Sequence, residues 1–416
     1  MYGLLGKKLG HSFSKKIHEK MTNMEYNLIE TDDLNQIFSQ NIYKGLNVTI
    51  PYKTKVIPYL DELSTIAKET NAVNTIIFKS GKKIGYNTDY YGLEKALSYH
   101  NISVASRRVL IMGNGSTSRT IKLYCEKNLA QNIVVLARNP EENEYHFNDV
   151  DNFKNYEIIF NATPVGMFPH VNDELIFSLD LFDNLISVVD VVYNPLRSNL
   201  LIEAESLGIK AVNGLFMLIS QAVKSIELFH NIHITDPEII ELYKSIKLEM
   251  LNLVFIGMPM SGKSYFAKLC SKIYHKDVID IDQEIEDVED NIISNIFKSK
   301  GEKYFRSLEY EQTLKFSKDN NKAISCGGGV VLNEKNINNL KHNGVIIYIY
   351  VPLEFLKKCN PKGRPLLKDK KNLEKLFFER YHLYKQSADI ILKKRSYDET
   401  PILRDLEVKI NEYISS

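Results

Sequence analysis

Cysteine is scarce in this sequence of 416 residues, which contains only Cys125, Cys270, Cys326 and Cys359. No two of them stand at the spacing of a zinc site, and four are too few for a disulfide framework. We therefore expect buried, reduced thiols and a reducing compartment.

An excess of charge of either sign is also missing. The chain carries 53 basic and 52 acidic side chains, a formal net charge of +1. This balance argues against nucleic acid or an anionic membrane as the main partner, because both bind proteins through concentrated positive charge. Any positive potential must come from a few arginines at a site. We expect small-molecule substrates, and the oligomeric state stays open.

Long apolar runs are absent as well. No run approaches the ~18 residues that a membrane-spanning helix needs. The N-terminal residues also lack a charged segment followed by an apolar one, the pattern of a secretory signal. These absences favour a cytoplasmic enzyme.

The sequence does contain a regular alternation of short apolar runs with amphipathic stretches, which is typical of α/β folds with parallel sheets. The expected strands are Tyr2–Leu5, Leu46–Ile50, Asn74–Phe78, Val109–Met112, Ile133–Ala137, Ile158–Asn161, Val188–Val191, Leu253–Ile256, Asp277–Asp280, Ala323–Cys326 and Val345–Val351. The expected helices of the second half are Lys263–Tyr274, Ile293–Phe316 and Asn372–Ser387.

Two changes along the chain predict domain boundaries. A polar connector precedes a new strand near residue 100, and a fresh apolar strand begins near residue 252. Thr235 as N-cap and Pro237 in the first turn predict a helix before that strand. The expected domains are 1–100 (with 214–235 packing back on it), 101–213 and 250–416, with a helical connector over 236–249.

The most specific motif lies at Gly257–Ser264, which reads G-x-x-x-x-G-K-S directly after an apolar strand. Strand, loop and helix are the context that a phosphate-binding loop requires, because backbone N–H groups at the helix start wrap the phosphate. Lys263 supplies positive charge to the β and γ phosphates, and the Ser264 hydroxyl can bind Mg²⁺. The alternative is a glycine-rich turn that matches by chance. The motif predicts that the chain binds ATP or a similar nucleotide.

Acidic and basic side chains follow this loop. Asp280 and Asp282 end the next expected strand and would lie on the same side of it, where ligands bind in open α/β sheets. A solvated acidic turn is the alternative. Further along, three arginines and a triple glycine stand in distinctive settings: Arg306, Arg364, Arg380 and Gly327–Gly329.

Residues 250–416 resemble shikimate kinase in the order phosphate loop, D-x-D, F-R-x-x-E, G-G-G, R-P-L-L, R-x-x-L-Y. The resemblance implies that Asp282 contacts the substrate hydroxyls as candidate base and that Asp280 joins Ser264 in the Mg²⁺ shell. It implies that Arg306 and Arg380 grip the substrate carboxylate, while Arg364 in a lid reaches the transferred phosphoryl group. The implied ATP-binding residues are Gly257, Met260, Ser261, Gly262, Lys263, Ser264 and Tyr265, and the implied pocket glycines are Gly327, Gly328 and Gly329. His382 departs from the family pattern, and the lid (360–371) is rich in lysine.

Three polar clusters stand out in the first half. Gly10–Ser14 places two hydroxyls after a strand, Asn47–Lys53 places Lys53 near an expected helix start after Pro51, and Gly85–Asp89 precedes another helix. Each has a structural alternative: a turn, a solvated lysine, or a helix cap.

A strand followed by G-x-G-x-x-S lies at Arg108–Ser118 and predicts a dinucleotide-binding unit. The next expected strand ends at Arg138, 23 residues after Gly115. NAD-binding proteins tend to carry an acid at that position, whereas an arginine can accommodate the 2′-phosphate of NADP. Arg138 therefore favours NADP, with a chance surface arginine as the alternative.

Residues 1–235 resemble shikimate dehydrogenase in the runs GHSFS, LNVTIPYK, AVNT, NTD, GNGSTSR, NATPVGM, DVVYNP and NGLFMLISQA. The resemblance implies a reversible NADP-dependent reduction of dehydroshikimate with Lys53 and Asp89 as the catalytic pair. The implied substrate-binding residues are Ser12, Ser14, Thr49, Asn74, Tyr193 and Gln221. The implied NADP-binding residues are Gly113, Gly115, Ser116, Thr117, Arg138, Thr163, Gly214 and Met217. Glu142 occupies a second basic position of the family pattern.

Together, the two resemblances predict an α/β protein with a substrate domain, a Rossmann-like NADP domain and a P-loop kinase domain with a parallel sheet. The two implied reactions are consecutive, since the dehydrogenase forms shikimate and the kinase consumes it. We expect a bifunctional enzyme that uses NADP(H), ATP and Mg²⁺. The alternatives are an NAD-using quinate/shikimate dehydrogenase fused to the kinase, or a shikimate-binding regulatory module without chemistry. The presence of Lys53, Asp89, Lys263 and Asp282 argues against the latter.

Overall fold

The computed structural model describes residues 1–10, 13–171, 173–358, 370–394 and 400–415. The chain divides into two compact units. The first consists of Met1–Tyr193 and Leu200–Tyr243, and the second of Asn194–Asn199 and Lys244–Ser416. Within the described residues, no helix combines the length and the apolar character required to cross a bilayer.

The first sheet of the first unit has six strands in the order β2-β1-β3-β5-β6-β4. β1 pairs in parallel with β2 and β3, whereas β5 runs antiparallel to both of its neighbours. Leu5, Leu46 and Ile76 are fully buried on this sheet. The strands are β1 (Tyr2–Gly6), β2 (Tyr26–Glu30), β3 (Gly45–Val48), β4 (Glu62–Leu63), β5 (Thr75–Lys79) and β6 (Lys82–Tyr86).

The second sheet is parallel throughout, in the order β12-β11-β10-β7-β8-β9. Its central strands are buried on both faces, as parallel sheets require. Strand β7 lies between β10 and β8, so the strand order reverses at its carboxyl end, where ligands bind in such sheets. The strands are β7 (Arg108–Met112), β8 (Asn132–Ala137), β9 (Tyr145–His146), β10 (Ile158–Asn161), β11 (Ser187–Asp190) and β12 (Lys210–Val212).

The helices of this part of the chain include one long apolar helix, α7, which ends at Asn231 in the left-handed conformation. It packs closely on α4, because a Cβ atom at Gly92 would lie 2.6 Å from the Met217 carbonyl oxygen. The helices are α1 (Phe13–Thr22), α2 (Leu34–Phe38), α3 (Thr65–Thr70), α4 (Asp89–Tyr99), α5 (Ser116–Lys127), α6 (Asn199–Ser206), α7 (Leu215–His230) and α8 (Asp236–Met250). Single 3₁₀ segments cover Ile57–Tyr59, Phe147–Phe153 and Leu179–Leu181.

The second unit contains a five-stranded parallel sheet in the order β14-β15-β13-β16-β17. Its strands are β13 (Asn252–Ile256), β14 (Asp277–Asp280), β15 (Lys322–Ser325), β16 (Gly344–Tyr350) and β17 (Ile390–Lys393). Its helices are α9 (Lys263–Tyr274), α10 (Ile281–Glu289), α11 (Ile293–Ser317), α12 (Glu334–Lys341), α13 (Leu353–Leu356), α14 (Lys370–Ser387) and α15 (Thr400–Ser415), with a 3₁₀ segment at Val330–Leu332. Helix α11 is kinked at Gly301, whose φ is +83°.

The six residues Asn194–Asn199 belong to this second unit through a buried arginine. The Arg197 guanidinium, 6% exposed, pairs with both carboxylate oxygens of Asp389 at 2.9 and 3.0 Å. Its Nε donates to the Lys341 carbonyl at 2.9 Å, and the Leu196 N–H donates to the Asn343 side chain at 3.0 Å. A bidentate arginine–carboxylate pair is a strong and directional contact, so the segment is fixed within the unit.

The expected strands and helices are confirmed within a few residues at their ends. The buried thiols are also confirmed for Cys125, Cys270 and Cys326, and burial raises the pKa of Cys125 and Cys270 to about 12. Cys359 lies outside the described residues.

Candidate active sites

An ion pair joins the two residues expected to act as the catalytic pair in the first unit. Lys53 Nζ lies 2.6 Å from Asp89 Oδ2, and both side chains are largely buried. Asp89 is the first residue of α4, where the helix dipole stabilises a carboxylate. The helix expected just after Pro51 is wrong: turns follow Pro51, and the next helical segment is the 3₁₀ turn Ile57–Tyr59. Lys53 therefore does not oppose a helix dipole.

The Asn74 amide group holds this pair in place. Asn74 Nδ2 donates to Asp89 Oδ1 at 2.9 Å and lies 3.3 Å from Gln221 Oε1, while its Oδ1 accepts from the Thr88 N–H at 2.8 Å. The structure thus brings together four of the residues named from the sequence, Lys53, Asn74, Asp89 and Gln221. A charged pair beside neutral amides suits proton transfer to a bound carbonyl compound.

Three of the other expected substrate residues, Ser14, Thr49 and Tyr193, lie within the described part of the chain. Ser14 lies in the first turn of α1 and Thr49 follows β3, and both are half-buried. The Tyr193 ring meets the Phe13 ring edge-on at 5.8 Å between centroids. Phe13 was not expected as part of the site, although it lies inside the GHSFS run. Ser12 lies outside the described residues.

The glycine loop after β7 has the conformation that its motif predicts. Gly113 has φ +94°, and a Cβ atom there would meet Thr163 Cγ2 at 3.0 Å. Gly115 caps α5, and Ser116 and Thr117 open the helix, so backbone N–H groups of this helix start are available to an anion.

Two buried residues missed from the sequence support the cofactor side of the site. Asn161 Nδ2 donates to Asp190 Oδ1 at 2.9 Å, and its Oδ1 accepts from the Thr163 hydroxyl at 2.6 Å. The expected cofactor residue Gly214 packs so tightly that a Cβ atom would lie 2.1 Å from the Val191 carbonyl oxygen, and Met217 is buried nearby on α7. Their signal was the pair of runs NATPVGM and DVVYNP, which contain Asn161 and Asp190.

Arg138 follows β8 and is exposed, as a group that meets a cofactor phosphate must be. The loop after it is tied to the glycine loop, because Asn114 Nδ2 donates to the Asn139 carbonyl and to Glu144 Oε2, both at 2.9 Å. Glu142 is exposed in the same loop. Arg138, Glu142 and Glu144 therefore lie in one segment, which is expected to contact the cofactor ribose.

In the second unit, the phosphate loop wraps around a buried lysine. Lys263 Nζ donates to the carbonyl oxygens of Gly257 and Met258 at 3.1 and 3.0 Å. Gly257, Met260 and Gly262 all have positive φ, the backbone pattern that turns successive N–H groups toward an anion.

Asp280 and Ser264 meet at the carboxyl end of β14. The Ser264 hydroxyl donates to Asp280 Oδ2 at 2.7 Å and lies 2.9 Å from the Ser325 hydroxyl. One carboxylate and one hydroxyl fit Mg²⁺, which keeps several waters and adds few protein ligands. No group of three or more acidic, histidine or cysteine ligands occurs in the described part of the chain.

The placement of Asp282 corrects one expectation. Asp282 is not part of the strand: β14 ends at Asp280, whose Oδ1 accepts from the Asp282 N–H at 3.2 Å and so caps α10. Asp282 nevertheless faces the site, because a Cβ atom at Gly327 would lie 2.6 Å from its Oδ1.

A buried carboxylate beside Asp282 was missed from the sequence. Glu309 is 0% exposed and accepts from Arg306 Nη1 at 2.8 Å, while Arg306 Nη2 donates to Glu302 at 3.0 Å. Desolvation raises the pKa of Glu309. The sequence feature that could have identified Glu309 is its spacing from Arg306, because residues three apart on a helix such as α11 are neighbours.

Arg380 approaches the same site from α14. Its Nη1 donates to the Gly328 carbonyl at 2.8 Å. A Cβ atom at Gly329 would overlap the Arg306 guanidinium at 2.2 Å, so a side chain at this position would displace that guanidinium group. Arg364 and the expected lid lie outside the described residues, apart from the helix start at 370–371.

A cavity of about 240 Å³ is lined by the phosphate loop and by Asp282. Its lining residues are Met260, Gly262, Lys263, Ser264, Tyr265, Asp282, Ser325, Cys326 and Gly328. The groups expected to hold the nucleotide and Asp282 therefore face one volume.

The fold and sites define a two-part enzyme, a dinucleotide-fold oxidoreductase unit and a phosphate-loop kinase unit. Residues 4–76 match the family model of the shikimate dehydrogenase substrate binding domain, and residues 259–410 match that of shikimate kinase. The chain belongs to the shikimate dehydrogenase family, and its second unit carries a shikimate kinase domain.

Relatives of known name agree over the first part of the chain. A shikimate dehydrogenase (NADP(+)) of Clostridium perfringens is 38% identical over 270 residues, which cover 59% of this chain and 98% of the relative. One from Methanococcus maripaludis is 33% identical and covers 59% and 96%. A chorismate mutase/shikimate 5-dehydrogenase fusion protein from Clostridium acetobutylicum superposes with a TM-score of 0.56 at 35% identity, over 59% of this chain and 96% of that one.

Proposed function

We propose that this chain catalyses two consecutive reactions: NADPH-dependent reduction of 3-dehydroshikimate to shikimate, and ATP-dependent phosphorylation of shikimate to shikimate 3-phosphate. The observation that carries the proposal is that one chain combines a shikimate dehydrogenase and a shikimate kinase domain. The product of the first reaction is the substrate of the second. The three sheets support a division into a substrate domain, an NADP domain and a kinase domain.

In the dehydrogenase, the Lys53 ammonium group donates a proton to the oxygen of the reacting carbonyl group. Asp89 stabilises that ammonium group at 2.6 Å and orients it, since Asn74 fixes the other carboxylate oxygen. Bound NADPH supplies the hydride. Thr49, Asn74 and Gln221 bind ring hydroxyls, and Ser12 and Ser14 bind the substrate carboxylate.

NADP rather than NAD is proposed as the dehydrogenase cofactor. The exposed Arg138 guanidinium stands at the end of β8, where it can pair bidentately with a 2′-phosphate. Gly113, Gly115 and the first residues of α5 hold the pyrophosphate, and Thr163, Gly214 and Met217 line the nicotinamide side.

In the kinase, Asp282 accepts the proton of the attacking hydroxyl group, and Arg306 and Arg380 bind the substrate carboxylate. Lys263 and the phosphate loop bind the phosphates of ATP, and Ser264 with Asp280 would hold Mg²⁺, which neutralises phosphate charge when bound. Arg364 is proposed to contact the transferred phosphoryl group.

The test is one incubation of the full chain with 3-dehydroshikimate, NADPH, ATP and Mg²⁺. We expect NADPH oxidation and the appearance of shikimate 3-phosphate. Omitting ATP should stop the sequence at shikimate, and omitting NADPH should leave 3-dehydroshikimate unchanged. Absence of shikimate 3-phosphate in the complete mixture would contradict the proposal.

A second candidate is an NAD-using quinate/shikimate dehydrogenase fused to the kinase. Glu142 and Glu144 in the loop after Arg138 favour it, because acids near the ribose suit NAD and repel a 2′-phosphate. A quinate dehydrogenase from Corynebacterium glutamicum in complex with NAD shares the fold at a TM-score of 0.53 and 26% identity. Comparing kcat/KM for NADPH and NADH decides between the two.

A further inference from the structure

A fully buried serine on α7 lies at the centre of a hydrogen-bond network beneath the dehydrogenase site. Ser225 Oγ is 2.8 Å from Asn47 Nδ2, 2.8 Å from Thr75 Oγ1 and 3.3 Å from Thr88 Oγ1. It also donates to the Gln221 carbonyl, one turn earlier on the helix, at 3.0 Å. No motif noted in the sequence includes Ser225.

One of these partners, Thr88, leads directly to the catalytic pair. Thr88 precedes Asp89 and donates its backbone N–H to Asn74 Oδ1. Asn74 Nδ2 in turn lies 3.0 Å from Thr88 Oγ1 and 2.9 Å from Asp89 Oδ1. Ser225 is therefore separated from the Asp89 carboxylate by two neutral side chains.

A tyrosine at the end of the network away from Asp89 fixes the orientation of the Asn47 amide group. The Tyr26 hydroxyl donates to Asn47 Oδ1 at 2.7 Å, so the Asn47 amide N–H₂ points to Ser225 and to Thr75 Oγ1 at 3.0 Å. The Ser225 hydroxyl donates to the Gln221 carbonyl and accepts from Asn47 Nδ2. Its remaining lone pair faces the Thr75 and Thr88 hydroxyls at 2.8 and 3.3 Å.

The residues of this hydrogen-bond network are almost completely buried. Ser225 and Thr75 are 0% exposed, Thr88 2% and Asn47 5%. Water cannot replace a lost partner at such positions, and a buried donor left unpaired costs more than the hydrogen bond itself contributes. Without the Ser225 hydroxyl, Asn47 and Thr75 each lose a hydrogen-bond partner, and the Thr88 hydroxyl loses its contact at 3.3 Å.

We propose that Ser225 is a positioning residue of the dehydrogenase. By holding Thr88 and Asn74, it fixes Asp89 and the Lys53 ammonium group in the geometry that proton transfer requires, and so it acts on the chemical step. This inference rests on the proposed roles of Lys53 and Asp89. Ser225 is buried beneath the residues proposed to bind the substrate, so its loss should lower kcat more than it changes substrate KM.

The chain offers a matched control on the same helix. Ser220 is also 0% exposed, and its hydroxyl makes no hydrogen bond within the described structure. The full-length variants Ser225→Ala and Ser220→Ala remove the same atom from equally buried sites. We expect Ser225→Ala to lower dehydrogenase kcat about tenfold with KM within twofold. Ser220→Ala should keep kcat within twofold, and both variants should keep kinase activity.

A double-mutant cycle tests whether Ser225 acts through Thr88. Thr88→Val removes the hydroxyl that links Ser225 to Asn74, so the effects of Ser225→Ala and Thr88→Val on kcat should be less than multiplicative. Single-turnover oxidation of NADPH, followed by absorbance, shows whether the loss lies in hydride transfer. Should Ser225→Ala fold poorly, Ser225→Cys keeps the shape of the side chain with a weak donor and should show an intermediate kcat.

Equal kcat values for Ser225→Ala and Ser220→Ala would overturn the inference, as would fully multiplicative effects in the cycle. Lys53→Ala separates this failure from failure of the proposed function. If Lys53→Ala abolishes activity while Ser225→Ala does not reduce it, only the role of Ser225 is wrong. If Lys53→Ala retains activity, the proposed catalytic pair is wrong.

Discussion

The two active sites of this chain hold their cations in different ways. In the dehydrogenase, Lys53 pairs with Asp89, and that carboxylate is braced by the neutral side chain of Asn74. In the kinase, Lys263 donates to backbone carbonyls of its own loop, and Arg306 lies between two carboxylates. The dehydrogenase site positions one ion pair through neutral side chains, whereas the kinase site contains several charged side chains.

This difference follows from the ligands each site is proposed to bind. A nucleoside triphosphate and a carboxylate bring several negative charges, so the kinase needs several cations, whose protein contacts can be exchanged for phosphate oxygens. The dehydrogenase must place one proton donor accurately. The orientation of one proton donor is therefore most important in the dehydrogenase site, and the number of positive charges is most important in the kinase site.

The largest effect should come from removing each of the two proposed catalytic lysines separately. Lys53→Ala should lower dehydrogenase kcat about a thousandfold or more, because it deletes the proton donor, and should leave kinase activity within twofold. Lys263→Ala should abolish kinase activity and should leave dehydrogenase activity within twofold. Steady-state assays of both activities in each variant check this. Loss of both activities in either variant would contradict two chemically independent sites.

The next effect tests charge pairing in the kinase. Arg306→Met should raise shikimate KM about 100-fold, since it removes the proposed bidentate contact with the substrate carboxylate, and should destabilise the second unit by leaving Glu309 unpaired. Adding Glu309→Gln should restore the thermal midpoint without restoring KM. Lys315→Met on the same helix is the control and should change neither quantity. If Glu309→Gln also restores KM, Arg306 has a purely structural role.

Acid should affect both units through buried histidines. Burial lowers the pKa of His18 to about 3 and that of His342 to about 4, against an ordinary value near 6.5. The unfolded chain therefore binds more protons below pH 6.5, and folded stability falls as the pH falls. The loss is about 2 kcal/mol for each unit at pH 5.

The measurement is urea inactivation of each activity at pH 7.5 and pH 5. His18→Phe keeps the ring that stacks on Tyr26 and should remove most of the acid sensitivity of the dehydrogenase alone. His170→Gln replaces an exposed histidine and should leave the acid sensitivity of both activities unchanged. Equal acid sensitivity in His18→Phe and the parent chain would exclude His18 as the cause.

The smallest effect concerns the cofactor. Arg138→Ala should raise the KM for NADPH about tenfold, because an exposed arginine–phosphate contact contributes little more than 1 kcal/mol, and should leave the KM for NADH unchanged. An equal change for both cofactors would show that Arg138 does not read the 2′-phosphate.

Much of the fold could be predicted from the sequence, because strands such as β13 and β10 are continuous apolar runs. The site was harder. Lys53 and Asp89 lie 36 residues apart, and neither spacing nor periodicity brings them together. Asp282 was assigned to the strand because alternation cannot show that the Asp280 side chain caps a helix. Ser225 and Glu309 become recognisable only when their buried partners are known.

Residues Asn194–Asn199 show that the border between the two units is not one point in the sequence. A kinase polypeptide beginning at Lys244 would lack Arg197 and would leave the Asp389 carboxylate without its guanidinium partner. That carboxylate would keep the hydrogen bond from the Ile346 N–H at 2.7 Å. The second unit therefore includes a segment from earlier in the chain, and a single cut near residue 244 would remove that segment from it.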